Sequence, residues 1–238
     1  MLILRSLLFN ILFWIVTFTL STLVVIFRPL GIRAVYPIGR FWSRTGLFLL
    51  RIICGVTYEV KTNGKLPEGP AVFLSNHQSA WETMAYPALF PPFMWVLKRE
   101  LMYVPIFGWC LMALGHIGIN RKAGSRAIKQ INAEGKKILT SGFNMIIFPE
   151  GTRISPGEVG NFNPGGVGLA IGSGVPVVPV THNAGRLWGK SAFAKKPGHI
   201  TVVIDEPIST EGLPPSDRKA LNEKVRNIIV KRMEEISP

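Results

Sequence analysis

The residues best suited to chemistry sit in two short blocks. Asn76-His77-Gln78-Ser79-Ala80-Trp81-Glu82 follows the apolar run Ala71–Leu74, which reads as a buried strand. A histidine just past a strand end, with a carboxylate five residues on, offers a base and a group to orient it. On one regular helix, positions i and i+5 lie about 140° apart, so the two side chains would diverge. They meet if His77 stays in the loop and Glu82 enters the first helical turn. Ser79 and Glu82 form a Ser-x-x-Glu capping box, which predicts a helix starting at Ala80. The same box supports a plainer reading, in which Glu82 only caps the helix and His77 only occupies a turn. Spacing alone leaves both open.

The second block, Phe148-Pro149-Glu150-Gly151-Thr152-Arg153, directly follows a strand predicted over Met145–Phe148. Gly151 permits close backbone approach to a ligand, and Arg153 offers a planar fork for phosphate. Lys98 ends the run Phe93–Leu97, and Arg121 follows His116–Ile119. Basic residues at several strand ends can converge on one anion, although each alone reads equally as a solvated surface charge. Cys54 and Cys110 support no disulfide framework, and His77, His116, His182 and His199 show no metal-ligand spacing with them.

These blocks need a scaffold. Beyond about Val56, β-rich runs at 57–61, 71–74, 93–97, 117–119, 145–148, 177–180 and 200–204 alternate with helical candidates at 81–89, 125–140, 167–172 and 216–236. That alternation predicts an α/β fold, a mixed sheet covered by helices. Across 238 residues the chain is 47% hydrophobic and only 17% charged, yet its formal net charge is +13. Such apolarity excludes disorder, and such charge points to an anionic surface, either nucleic acid or phospholipid.

The N-terminus favours phospholipid. Ser6–Phe27 carries no charge over 22 residues, enough as a helix to cross a hydrocarbon core of about 30 Å. It is long for a signal peptide and lacks a small-residue cleavage site. From Met1 to Tyr58 the charges are Arg5, Arg28, Arg33, Arg40, Arg44 and Arg51, with no acidic residue. A helix beginning near Tyr36, with Pro37 in its first turn, would align Arg40, Arg44 and Arg51 beside Phe41, Phe48 and Ile52. That is the pattern of an interfacial helix on anionic headgroups. The chain thus divides into a membrane-associated helical segment, 1–55, and an α/β domain, 56–238. If the first helix spans, Arg28, Arg33 and Arg40 outweigh Arg5 and put the domain on the cytoplasmic face. No basic-aromatic module for nucleic acid is present.

In order along the chain stand Asn-His-x-Ser-x-x-Glu at 76–82, Gly115 to Arg121, Phe-Pro-Glu-Gly-Thr-Arg at 148–153, and Val-Pro-Val-Val-Pro-Val at 175–180. Together they resemble the four motifs of the glycerolipid acyltransferases, specifically the 1-acyl-sn-glycerol-3-phosphate acyltransferases, over roughly residues 55 to 210. The resemblance implies that His77 is the general base and that Glu82 stands where the family usually has Asp. It implies that Lys98, Arg121 and Arg153 hold the glycerol phosphate while Glu150, Gly151 and Thr152 shape the acceptor pocket. Lysophosphatidic acid would be the acceptor and acyl-CoA or acyl-carrier protein the donor, without metal or other cofactor, at a bacterial inner membrane. Two departures stand out: Glu82 for Asp, and Phe162-Asn163-Pro164-Gly165 where many members have Phe-Lys-x-Gly. Acylation of another lysolipid, such as a lyso-ornithine lipid, is the nearest alternative. A thioesterase, in which His77 activates water, and a non-enzymatic anionic-lipid binder are more distant ones.

Overall fold

A computed structural model describes residues 1–236, with the backbone alone at Arg121. Seven strands form one sheet: β1 (Val56–Thr62), β2 (Val72–Ser75), β3 (Phe93–Lys98), β4 (Ile117–Ile119), β5 (Asn144–Ile147), β6 (Val177–His182) and β7 (Gly198–Ile204). Their spatial order is β1-β7-β6-β2-β5-β3-β4, and of the pairings among these strands the β6–β7 one is antiparallel and the rest parallel. The sheet is therefore mixed, as predicted. The carboxyl ends of β6, β2, β5, β3 and β4 lie along one edge, and His77, Lys98, Arg121 and the 148–153 block leave the sheet there.

The helices are α1 (Leu2–Phe27), α2 (Ile32–Cys54), α3 (Trp81–Leu89), α4 (Phe107–Ala113), α5 (Ser125–Thr140), α6 (Gly165–Ser173) and α7 (Arg218–Glu235). Alternate strand residues feed two cores, as the two-residue strand period demands. Phe73, Ile146 and Val178 pack toward α2 and α3, while Val72, Leu74, Met145 and Val177 pack toward α5, α6 and α7. The first core runs on into the N-terminal helices without a break, through Phe9, Leu47, Leu50 and Cys54.

One stripe of α1 (Ser6, Phe9, Thr17, Ser21 and Val24) is buried, while Ile3, Leu4, Leu7, Ile11, Trp14, Ile15 and Phe18 are exposed. The helix is long and apolar enough to cross a membrane. Its inner half is tied to the domain by Lys195, which is 2% exposed. The Lys195 ammonium donates to Asn10 Oδ1 at 2.6 Å and to the Phe193 carbonyl at 2.9 Å, with Trp188 4.6 Å away under the charge.

Helix α2 departs from expectation at two points. It starts at Ile32, after Gly31 at φ +98, so Pro37 lies inside the helix and not in its first turn. Arg40 is not part of an outward arginine stripe. Its guanidinium turns inward and donates to the carbonyls of Pro87 (3.3 Å) and Phe90 (3.1 Å), closing the carboxyl end of α3 where unpaired carbonyls favour a cation. Arg44 and Arg51 remain exposed beside Phe48.

Candidate active site

The loop between β2 and α3 carries His77. Helix α3 starts at Trp81, one residue later than the capping box predicts, and of the box's two bonds the one accepted by Glu82 forms, while Ser79 Oγ takes the Trp81 amide and not the Glu82 amide. Ser79 Oγ accepts from Trp81 N–H at 3.0 Å, and Glu82 Oε1 accepts from Ser79 N–H at 2.7 Å. The same Oε1 accepts from Gln78 N–H at 2.9 Å and lies 2.8 Å from His77 Nδ1. One oxygen thus accepts from the amides at the start of the helix and also lies in hydrogen-bond range of the His77 ring.

Glu82 is fully buried. Burial raises its carboxyl, but His182, His77 and the Ser79 amide together outweigh that and hold it below its ordinary value. A carboxylate there must accept its hydrogen bond from Nδ1–H, so the proton on His77 sits on Nδ1 and Nε2 has a free lone pair. Among the described residues nothing bonds to Nε2. The imidazole stacks on Phe148, with ring centroids 4.0 Å apart and planes 9° from parallel. Trp95 and Tyr86 continue the aromatic wall behind it.

The 148–153 block forms the other side of the site by clamping the His77 backbone. Glu150 Oε2 accepts from His77 N–H at 2.6 Å, and Ile154 N–H donates to the His77 carbonyl at 2.8 Å. The turn between them needs Gly151, at φ +68, where its N–H returns to the Phe148 carbonyl at 3.1 Å. Asn163, where the resemblance would lead one to expect a lysine, directs both its main-chain and side-chain N–H groups to the Pro149 carbonyl at 2.9 Å. It fastens the loop's start to the segment leading into α6.

The structure therefore places Glu150 against a backbone amide and not on an open pocket wall. Thr152 is exposed, and Arg153 uses one N–H on the Lys190 carbonyl at 3.2 Å. Lys98 is exposed, 3.5 Å from Glu100. The Arg121 backbone opens a short turn after β4, and its side chain lies outside the described residues. Adjacent strands are about 4.8 Å apart, so Lys98 and Arg121 stand roughly 10 and 14 Å along the edge from β2. His77, Glu82 and Glu150 are in direct contact through hydrogen bonds, and the basic residues are strung beside them. Sequence reasoning missed Asn76 and His182, which join across β2 and β6 behind Glu82. Asn76 Nδ2 donates to the His182 carbonyl at 2.9 Å, and His182 N–H returns to Asn76 Oδ1 at 3.0 Å. The polar pair flanking each block was the available signal, but no local spacing links residues 106 apart.

Glu150 has a pH signature. Burial drives its carboxyl up to about 8, against the pull of the His77 amide, and the Glu82 charge adds to the rise. Between 4.5 and about 8 the folded chain holds a proton that the unfolded chain releases, so stability falls as pH rises through that window. Glu150→Gln keeps an oxygen for the His77 amide without the charge. Its melting temperature should gain on wild type progressively from pH 4.5 to about 8. A gap that stays constant with pH would contradict this.

Residues 57–183 match the family model described as Acyltransferase. A 1-acyl-sn-glycerol-3-phosphate acyltransferase of Pseudomonas aeruginosa is 42% identical, over 98% of this chain and 92% of its own. The alpha form from Mus musculus is 31% identical, covering 79% of this chain and 67% of its own. The crystal structure of a 1-acyl-sn-glycerophosphate acyltransferase from Thermotoga maritima shares the fold at TM-score 0.79, over 99% and 97% of the two chains at 23% identity. A buried His–Glu pair on a parallel sheet edge, a second block clamping it, and near full-length likeness lead to one conclusion: the chain belongs to the acyltransferase family, among the 1-acyl-sn-glycerol-3-phosphate acyltransferases.

Proposed function

We propose that the protein transfers an acyl chain from an acyl thioester to the sn-2 hydroxyl of 1-acyl-glycerol-3-phosphate, giving phosphatidic acid. The observation that carries the proposal is the 2.8 Å contact of His77 Nδ1 with a buried Glu82, which leaves Nε2 free as a base. Nε2 takes the hydroxyl proton as the oxygen attacks the thioester carbonyl. The tetrahedral adduct then expels the thiolate, which recovers a proton from the imidazolium. Glu82 stabilises that imidazolium throughout. No nucleophilic side chain intervenes, so no acyl-enzyme forms. Arg153, in the loop that clamps His77, with Arg121 and Lys98 along the same edge, supplies cations for the acceptor phosphate. The exposed apolar face of α1 and the Arg44 and Arg51 side chains support a domain held at an anionic membrane surface, on the cytoplasmic side.

The test is acyl transfer by the full chain in vesicles, with labelled oleoyl-CoA or acyl-carrier protein as donor. Lysophosphatidate and a phosphate-free lysolipid are compared as acceptors. Phosphatidate from lysophosphatidate alone is the expected result. Ester from the phosphate-free acceptor would overturn the substrate, and free fatty acid without ester would overturn the reaction. In the same assay Arg153→Ala should raise the lysophosphatidate KM about tenfold or more with a smaller effect on kcat. An unchanged KM would remove Arg153 from the phosphate site.

A further inference from the structure

The peptide unit leading into His77 is held at both polar ends by buried side chains from distant parts of the chain. Its N–H donates to Glu150 Oε2 at 2.6 Å. Its carbonyl, that of Asn76, lies 2.9 Å from His182 Nε2 and can only accept, so Nε2 carries a proton. The other ring nitrogen, Nδ1, accepts from Ala184 N–H at 3.2 Å. With one nitrogen donating and the other accepting, the fully buried His182 ring is neutral and fixed in one tautomer. Its Nε2 also stands 3.7 Å from Glu82 Oε1, beyond hydrogen-bond range but with its N–H dipole close to the carboxylate.

From this geometry we infer that His182 is a positioning residue for acyl transfer: its Nε2–H fixes the peptide plane before His77 and so aims the His77 imidazole. The inference rests on His77 acting as the base. Rotation about that peptide would swing the His77 Cα–Cβ bond, and a misplacement of about 1 Å in a reacting group is enough to cost on the order of 10²-fold in rate. Glu150 on the amide and His182 on the carbonyl oppose such a rotation from both ends. The titratable groups facing His182 and Glu82 are His77 from the loop, Tyr86 from α3 and Glu150 from the clamp. Burial keeps His182 uncharged against the pull of Glu82, and its bond from Ala184 leaves no acceptor for a second ring proton.

Two substitutions separate the donor from the bulk of the ring. His182→Gln carries an N–H group near the place of Nε2, whereas the shorter side chain of His182→Asn cannot reach the Asn76 carbonyl. The Gln variant should keep kcat close to wild type. The Asn variant should lose on the order of 10²-fold in kcat at unchanged KM for both substrates. Equal kcat in the two variants, or loss in KM alone, would overturn the assignment. If the Asn variant folds poorly, His182→Phe fills the space without a donor, and the same comparison with Gln decides. An active His77→Ala would instead remove the general-base reading. An inactive His77→Ala beside identical Gln and Asn variants would remove only the part given to His182.

Discussion

Replacing His77 with alanine should lower kcat on the order of 10³-fold or more and leave the fold and membrane association intact. The expectation follows from how the loop is held. His77 N–H goes to Glu150, the His77 carbonyl takes Ile154 N–H, and the next two amides, of Gln78 and Ser79, go to Glu82. None of these bonds involves the imidazole. Alanine therefore removes the base and its stacking on Phe148 while the main-chain clamp survives, and Glu82 keeps two of its three donors. The loss should appear in kcat at saturating acceptor, since no contact holding the phosphate is touched. Labelled acyl transfer, a melting curve and vesicle flotation measure the three parts separately. A variant with near wild-type kcat would take His77 out of the reaction. A variant that no longer melts cooperatively would show that the ring supports the fold.

Much of this site is readable because its central contact is local. His77 and Glu82 are five residues apart, and a helix start set by Ser79 is enough to bring them together. What was not readable depends on strand order. Asn76 and His182 meet because β6 lies beside β2, and Glu150 reaches the His77 amide because β5 lies on the other side. Nothing in either block announces these neighbours, so Glu150 reads as a pocket wall and His182 draws notice only as a histidine without metal-ligand spacing. Arg40 misleads for the same reason. Its angular position on α2 groups it with Arg44 and Arg51, and only the packing of α3 against α2 supplies the carbonyls that turn it inward. Helix α4 is hidden by composition, since Phe107–Ala113 is apolar nearly throughout and too short to show a helical period.

Glu82→Asp should be as damaging as Glu82→Gln, each lowering kcat roughly 10²-fold or more, although Asp is what the resemblance would lead one to expect at this position. The two changes remove different things. Oε1 already receives the Gln78 and Ser79 amides, so in the Gln variant the amide oxygen must occupy that place and His77 keeps its Nδ1–H tautomer. Only the charge that stabilises the imidazolium is lost. Asp keeps the charge but withdraws the carboxylate by about 1.5 Å, the length of one carbon–carbon bond. From a starting separation of 2.8 Å that takes it beyond hydrogen-bond range of Nδ1 unless α3 itself moves. Such movement is opposed by the buried Trp81, Met84 and Tyr86 on α3, and by Ser43 Oγ, which donates to the Met84 carbonyl at 2.6 Å. The glutamate is thus matched to a helix that begins where this one does, and the capping register absorbs the extra methylene. Kinetics of both variants beside their melting temperatures test the match. A fully active Asp variant would mean that α3 slides to meet the shorter side chain, and that the register is looser than these contacts require.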